Sequence, residues 1–342
     1  MKKRSALIVA PGRGTYNKDE LGYLRRYHPH QRGMFDRFDE QRVAKGQTTL
    51  KDLDGADRFS LATMTRGDNA SALIYACAYA DFTSISEAFE IVAVSGNSMG
   101  WYIALACAGA LSADDGFRLV NTMGTLMQES LIGGQMIYPF VDEEWRPIPG
   151  KREALLAMTR TIPGLELSID LGGMIVFGGD EEALEAAEHA LEPVGGRFPM
   201  RLANHAAFHT RMQNPVAERG RRELSLALFD QPAIPLVDGR GHAWFPKATD
   251  VEALYKYTLG HQVVEPYNFS ASVKNAVREF APDVIIVLGP GTTLGGSVAQ
   301  SLIQIDWRGL SSKQAFIDRQ AEDPLVLSMG MPAQRMVVTP NQ

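Results

Sequence analysis

The chain has 342 residues, of which 45% are hydrophobic and 22% charged, and its 34 basic and 40 acidic residues give a formal net charge of -6. This composition excludes a small disulfide-stapled scaffold and a disordered chain, and it predicts two domains or one large α/β domain with an insertion. A net negative chain has no general attraction to nucleic acid or to an anionic membrane, so we expect neither as a partner.

The cysteines and the N-terminus indicate the compartment. Cys77 and Cys107 are too few for a disulfide framework or a metal-ligand cluster, so we interpret them as core thiols and expect no metal site. The apolar run at residues 6–10 ends at Pro11 and is too short for a signal peptide. No apolar stretch approaches the ~20 residues that span a bilayer. We therefore expect a cytoplasmic protein.

The first third of the chain predicts buried parallel strands with helices between them. Residues 6–10 and 90–95 are apolar on both faces, which is typical of strands buried in a parallel sheet. The polar stretch 16–57 has weak periodicity and receives no assignment. Helices are expected over residues 69–79, 101–108 and 113–129, the last with Ser112 as its N-cap.

After residue 133 the pattern changes to a β-α-β-β-α-β order, which is the plan of a ferredoxin-like subdomain. The elements are strand 135–140, helix 151–161, strands 165–169 and 174–177, helix 181–191 and strand 197–202. We place this subdomain at 134–204, inserted into a large α/β catalytic domain formed by 1–133 and 205–342. The large domain resumes with a helix at 214–228, a strand at 234–237, helices at 251–259 and 270–279, and a strand at 283–288.

A Gly-x-Ser-x-Gly segment joins the predicted strand 90–95 to the helix that follows it. Gly96 and Gly100 permit a cramped strand-to-helix turn that presents the Ser98 hydroxyl above the sheet, the arrangement of a nucleophile elbow. The helix start supplies N–H groups and a positive dipole end where an oxyanion would form. The alternative is a tight turn whose serine only caps the helix.

Serine needs a base within hydrogen-bond reach to act as a nucleophile, and histidine is the natural candidate. His205 and His209 follow the inserted subdomain, where the chain returns to the large domain, and a cleft between domains is a favoured site. His28, His30 and His189 are discounted, because the first two lie in the unpatterned polar stretch and the third in a helix of the insertion.

Several segments in order resemble the malonyl-CoA:acyl carrier protein transacylase family, which includes the acyltransferase domains of polyketide and fatty acid synthases. The resemblance covers about residues 5 to 305. Its main segments are Ala10-Pro11-Gly12-Arg13-Gly14, Gly96-Asn97-Ser98-Met99-Gly100, Ala206-Ala207-Phe208-His209-Thr210 and Gly289-Pro290-Gly291.

The resemblance implies a three-layer α/β-hydrolase-like core, with acyl-CoA as a substrate, an acyl carrier protein as a partner and no bound cofactor. It implies Ser98 as nucleophile and His209 as base, with the backbone N–H groups of Met99 and Arg13 as the oxyanion hole. It also implies that the main-chain carbonyl of Gln262 orients the histidine. His205 stays open as a competitor for the base.

Departures from the family pattern bear on the acyl group. Family members that transfer malonyl carry an arginine where this chain has Met123, and a thioether cannot pair a carboxylate, so we expect an uncharged acyl group. Arg13 stands where the family has glutamine, and its side chain could restore an anion contact from the opposite wall. We expect Asn97 and Trp101, which replace ionisable residues, to line the acyl pocket together with Phe208, whose bulk excludes a methyl branch.

Three functions remain open from the sequence. The first is transfer of an acyl group from acyl-CoA to the phosphopantetheine thiol of a carrier protein through an acyl-serine. The second is hydrolysis of wrongly acylated carriers, in which water replaces the thiol. The third is a non-catalytic docking protein that kept the fold. A carrier would need a local basic patch, for which Arg219, Arg221 and Arg222 are candidates unless they form a solvated helix face.

Overall fold

The computed structural model describes residues 3–340 of the chain, and its larger sheet is built around the first apolar run. The strands are β1 Arg4–Ala10, β2 Phe89–Gly96, β3 Gly134–Pro139, β4 Glu166–Leu171, β5 Met174–Gly179, β6 Met200–Arg201, β7 Leu236–Val237, β8 Ala243–Trp244, β9 Tyr267–Asn268, β10 Val284–Val287 and β11 Val326–Ser328. The first helices are α1 Tyr23–Tyr27, α2 Arg32–Val43, α3 Leu50–Asp54, α4 Leu61–Met64, α5 Gly67–Thr83, α6 Gly100–Cys107, α7 Ala113–Glu129 and α8 Lys151–Thr161. The remaining helices are α9 Glu181–Ala190, α10 Asn214–Glu223, α11 Val251–Lys256, α12 Gln262–Val264, α13 Phe269–Phe280, α14 Leu294–Ile303, α15 Lys313–Glu322 and α16 Pro332–Val338.

The larger sheet has the strand order β11-β10-β1-β2-β7-β8, and all of its pairs are parallel except β7 with β8. Side chains 6–10 of β1 are all 0% exposed. Because successive side chains of a strand point to opposite faces, both faces of the sheet must be covered. Helices α5, α6 and α7 form one group, with α6 packed on β1 and β2. Helix α13 packs on the same two strands, and α14 packs on α13 and β11. The result is the three-layer α/β core that the resemblance implies.

The smaller sheet has the order β6-β3-β5-β4, the strand order of a ferredoxin-like unit, extended by β9. Strand β9 belongs to the segment after residue 205 and pairs in parallel with β4. The separate core of the small unit is formed by apolar residues that include members of β3, β5, α8 and α9. The predicted β-α-β-β-α-β order is therefore present, and a strand from the larger part of the chain completes the sheet.

Several predicted elements are shorter or differently shaped in the structure. The helix expected over 214–228 ends at Glu223, and the strands expected over 197–202 and 234–237 each pair over only two residues. The helix expected over 251–259 becomes a π-helix at Tyr257–His261, which leads into α12. The unassigned stretch 16–57 contains α1, α2 and α3.

The described part of the chain contains no helix that is both long and apolar enough to cross a membrane.

Candidate active site

The turn between β2 and α6 holds Ser98 in a strained, left-handed conformation with φ of 55°. A Cβ on Gly96 would overlap the backbone of Gly100, and a Cβ on Gly100 would overlap the backbone of Ala10. Side chains at these two positions are therefore excluded by neighbouring main chain. A non-glycine residue in the left-handed region costs about 1–3 kcal/mol, and such strain clusters at functional sites. The turn has the geometry of a nucleophile elbow.

The structure brings together the serine and the later of the two candidate histidines. Ser98 Oγ lies 2.7 Å from His209 Nε2, and His209 Nδ1 lies 2.6 Å from the main-chain oxygen of Gln262. A carbonyl oxygen only accepts, so Nδ1 carries the proton and Nε2 of the neutral ring is an acceptor. The imidazole is thus set to accept the hydroxyl proton of Ser98.

The Gln262 carbonyl is available to the histidine for a local reason. Residue 266 would supply the N–H that pairs with this carbonyl in a continuing helix, but Pro266 has no N–H. Helix α12 ends at Val264, so the oxygen is left without an intrahelical partner. In the sequence, the dipeptide Glu265-Pro266 is what indicates that the Gln262 carbonyl has no partner within the helix.

The side chain of Gln262 makes a second set of contacts that the sequence reasoning missed. Its Nε2 donates to the main-chain oxygen of Ser98 at 3.0 Å, and its Oε1 accepts from the Tyr102 hydroxyl at 2.8 Å. One residue therefore fixes the histidine through its backbone and the serine turn through its side chain. Tyr102 holds the amide in the orientation that allows both contacts.

Tyr267 is another contributor that no sequence pattern indicated. Its hydroxyl donates to the Gly96 oxygen at 2.5 Å, and its ring lies 5.3 Å from the His209 ring, centroid to centroid. Because Tyr267 lies on β9, it ties the edge of the smaller sheet to the serine turn of the larger one.

Burial lowers the pKa of His209 to about 4, because desolvation disfavours the imidazolium and outweighs the hydrogen bond to Gln262, which favours it. The pKa of His205 falls to about 3, again through burial first and then through the nearby Arg13. Both rings are neutral at neutral pH. His205 Nδ1 lies 2.8 Å from Gln135 Oε1 on β3, and the base within reach of Ser98 is His209.

A small cavity of about 20 Å³ opens at the dyad, which is room for about one water molecule. Arg13 and Phe208 line it from loops. Helix α7 also contributes lining residues, among them Met123, which is 1% exposed. Besides these, the lining includes Ser98, Met99, Tyr102, Met127, His209 and Gln262.

Two residues expected in the acyl pocket lie elsewhere. Trp101 is 0% exposed, and its indole Nε1 donates to Thr258 Oγ1 at 3.0 Å while its ring packs against Tyr257. It is a core residue because the α6 turn points it away from the cavity and into the π-helix. Asn97 is half-buried, faces the Gly12 turn and is also absent from the cavity lining.

The histidine of the polar stretch has a structural role. His28 is fully buried, and its Nε2 lies 2.7 Å from Asp81 Oδ1, in a network where Arg335 and Tyr23 also bond to Asp81. This network joins α1 and α5 to α16. Cys77 and Cys107 are buried free thiols, as interpreted from the sequence.

The comparisons with known proteins agree with the motifs. The chain is 26% identical to the malonyl CoA-acyl carrier protein transacylase of Salmonella typhimurium over 209 residues, which are 59% of this chain and 63% of that protein. The match thus spans less than two thirds of the relative's length. No protein-family model matches the chain.

Two solved structures show the same fold. The malonyl-CoA:acyl carrier protein transacylase of Xanthomonas oryzae pv. oryzae superposes with a TM-score of 0.76 at 20% identity, over 99% of each chain. A malonyl-transacylase solved in complex with its type II polyketide acyl carrier protein superposes with a TM-score of 0.74 at 19% identity, over 99% of this chain and 100% of the other. The fold and the resemblance to this family are therefore confirmed.

Proposed function

We propose that this chain, a relative of the malonyl CoA-acyl carrier protein transacylases, transfers an acyl group from acyl-CoA to the phosphopantetheine thiol of an acyl carrier protein. The observation that carries the proposal is the contact of Ser98 Oγ with His209 Nε2 at 2.7 Å, with Nδ1 held by the Gln262 carbonyl. A hydroxyl on a strained turn, a base and a group that orients the base are the parts of nucleophilic acyl transfer.

In the first half-reaction His209 Nε2 takes the proton of Ser98 as Oγ attacks the thioester carbon. A C–O bond forms, the carbonyl oxygen becomes an oxyanion, and the tetrahedral intermediate then breaks its C–S bond. The departing thiolate of coenzyme A receives the proton from His209, so the products are acyl-Ser98 and free coenzyme A. In the second half-reaction His209 removes the proton of the carrier thiol as its sulfur attacks the acyl carbon and forms a C–S bond. The C–O bond to Ser98 then breaks, and Oγ takes the proton back from His209, so the products are the acylated carrier and free Ser98.

The oxyanion would be held by the backbone N–H groups of Met99 and Arg13. Met99 lies at the start of α6, where N–H groups have no intrahelical acceptor and the helix dipole is positive. Arg13 follows β1 in the neighbouring turn and lines the same cavity. Two such donors contribute to catalysis because they stabilise charge that appears only in the transition state.

The α7 wall of the cavity favours an uncharged acyl group. Met123 presents a thioether that cannot pair a carboxylate, and the cavity admits only a short group unless Met123 and Met127 move. Methionine has flexible torsions and adapts to a ligand more easily than a branched side chain. Phe208, which also lines the cavity, adds bulk beside His209.

The proposed carrier partner needs a basic patch near the cavity. Arg219 pairs with Glu129 at 2.7 Å, and Arg221 donates to the Leu259 carbonyl at 2.9 Å. Two of the three candidate arginines on or near α10 are therefore engaged within the chain, which favours the solvated helix face over a docking patch for this group.

Radiolabelled acyl-CoA tests the proposal. The wild-type chain should acquire a covalent label that maps to the peptide containing Ser98, and S98A should acquire none. H209A should label at least about 100-fold more slowly, because general base catalysis supplies a factor of about 10²–10⁴. H189A is the matched control: His189 is exposed on α9 and should not affect labelling. Labelling that persists in S98A would reject the acyl-serine.

A further inference from the structure

The π-helix Tyr257–His261 lies directly before the carbonyl that orients the base. The main-chain N–H of Gln262 donates to the carbonyl of Tyr257, whereas in an α-helix it would donate to that of Thr258. The π-helix therefore contains one residue more than an α-helical turn. Because an α-helix turns by about 100° per residue, that extra residue decides which carbonyl faces His209.

Helix α6 holds the π-helix by a buried hydrogen bond between side chains. The indole Nε1 of Trp101 donates to Thr258 Oγ1 at 3.0 Å, and both residues are 0% exposed. The Trp101 ring also meets the Tyr257 ring edge to face, with centroids 5.3 Å apart. An indole N–H can only donate, so a buried tryptophan needs an acceptor, and Thr258 supplies it. The position of the π-helix is thereby tied to the helix that begins at the serine turn.

The two neighbours of Thr258 are held by other parts of the protein. The Tyr257 hydroxyl accepts from the N–H of Gly239, in the loop after β7, at 2.9 Å. Arg221 of α10 donates to the Leu259 carbonyl at 2.9 Å. Three consecutive residues of the π-helix are therefore each fixed from a different element, and π-helical turns of this kind occur most often at functional sites.

We propose that Trp101 and Thr258 form a positioning pair for the base. Their hydrogen bond keeps the π-helix in its register, so that the Gln262 carbonyl stays on Nδ1 of His209. Without the bond the segment is free to relax toward an α-helical register, which turns that carbonyl away from the ring. The neutral ring then no longer has its proton fixed on Nδ1, and a ring that carries it on Nε2 cannot accept the proton of Ser98. The inference rests on the proposed function and adds two residues that lie outside the cavity lining.

Two substitutions remove the hydrogen bond, one from each side. W101F keeps an aromatic ring and loses the N–H, and T258V keeps the shape and loses the hydroxyl. Each should slow labelling of Ser98 by acetyl-CoA about tenfold, the effect of one buried hydrogen bond. The acetyl-CoA concentration that gives half the maximal rate should not change, because neither residue lines the cavity. W101F/T258V should be no slower than the slower single variant, since both substitutions break the same bond. T258S, which keeps a hydroxyl, should label at nearly the wild-type rate.

The tautomer of His209 can be measured without any substrate. In protein carrying isotope-labelled histidine, the nitrogen shifts of the neutral ring report which nitrogen is protonated, and the spectrum of H209A identifies the signals of this ring. The wild type should show the proton on Nδ1, and W101F and T258V should show a measurable fraction on Nε2. The matched control is T339V. Thr339 is buried at the end of α16, and its Oγ1 donates to the Arg335 carbonyl at 3.0 Å, so T339V loses a comparable bond and should change neither the tautomer nor the labelling rate.

The possible results separate this inference from the proposed function. A wild-type tautomer in W101F and T258V would overturn the role of the pair and leave acyl transfer standing. Losses that add in the double variant would do the same, because the two residues would then act separately. Absence of label from every thioester would reject the acyl transfer, and the tautomer in the two variants would still show whether the pair holds His209.

Discussion

The proton-accepting capacity of His209 is set by its burial. Its folded pKa of about 4 lies below the ordinary value of 6.5, so the ring stays neutral across the physiological range. The rate of Ser98 acylation should therefore be constant from neutral pH down to about pH 5 and fall below it, because only neutral His209 can accept the hydroxyl proton. Stopped-flow release of coenzyme A as a function of pH measures this profile.

The lowered pKa of His209 also makes the folded protein less stable in acid. A histidine whose folded pKa is depressed stabilises the fold fully above its unfolded pKa, and this contribution is lost as pH falls through the folded value. Unfolding must therefore be followed in parallel, so that loss of activity near pH 4 is separated from loss of structure. A midpoint near pH 6.5 for an intact protein would contradict the buried, neutral ring.

Ser98 and His209 could be found from the chain because each lies in a short local pattern. The glycines on either side of Ser98 are dictated by close backbone contacts, and they stand beside it in sequence. Tyr102 and Tyr267 could not be found this way, since their hydroxyls reach Gln262 and the Gly96 carbonyl across 160 and 171 positions. Those contacts exist only in the folded protein, between segments that lie far apart in the sequence.

Among the elements, the β2–α6 junction has no room for a side chain at either of its two glycines. The expected effect of G100A is a loss of more than about 2 kcal/mol in the free energy of unfolding, because the new Cβ would overlap the Ala10 carbonyl, which is fixed in the sheet. G295A in α14 is the matched control. A Cβ there meets nothing within 4 Å, so alanine should be neutral or stabilise the helix by up to about 1 kcal/mol.

Chemical denaturation of the two variants compares them directly. Equal stability of G100A and G295A would show that the junction is not close-packed, and the strained turn would lose its physical basis. Activity of a folded G100A should also fall, because displacing the turn moves Ser98 away from His209.

Secondary structure was predictable where apolar periodicity was strong and was missed where polar side chains fill the interior. Helix α7 matches its predicted bounds, including the Ser112 cap. Helix α2 was unassigned because one of its buried positions is Arg42, which donates to Asn69, Asn121 and main-chain oxygens of Thr48 and Asp68. An internal arginine gives no hydrophobic signal, yet here it joins α2 to α5 and α7.

At the scale of the molecule, residues of the smaller sheet position His209, the proton acceptor proposed for Ser98. Ser168 Oγ on β4 donates to the Phe208 carbonyl at 2.7 Å and accepts from Gln135 Nε2 on β3 at 2.6 Å. The segment that carries His209 is thus fixed by the inserted unit, and β9 brings Tyr267 to the same place. This interlock was beyond sequence reasoning, because a two-residue strand has no recognisable pattern.

The interlocked site also bears on the choice between transfer and hydrolysis. The cavity at Ser98 has room for about one water molecule, and the His209 ring is buried against Tyr267, so bulk water has little access to an acyl-serine. We therefore expect the acyl-enzyme to persist without a thiol and to be discharged by a carrier thiol in preference to water. Free acid and acyl-carrier product, measured together after adding phosphopantetheinylated carrier to labelled protein, give the partition. S98A supplies the background for both products. Exclusive formation of free acid would show that the protein is a hydrolase and not a transferase.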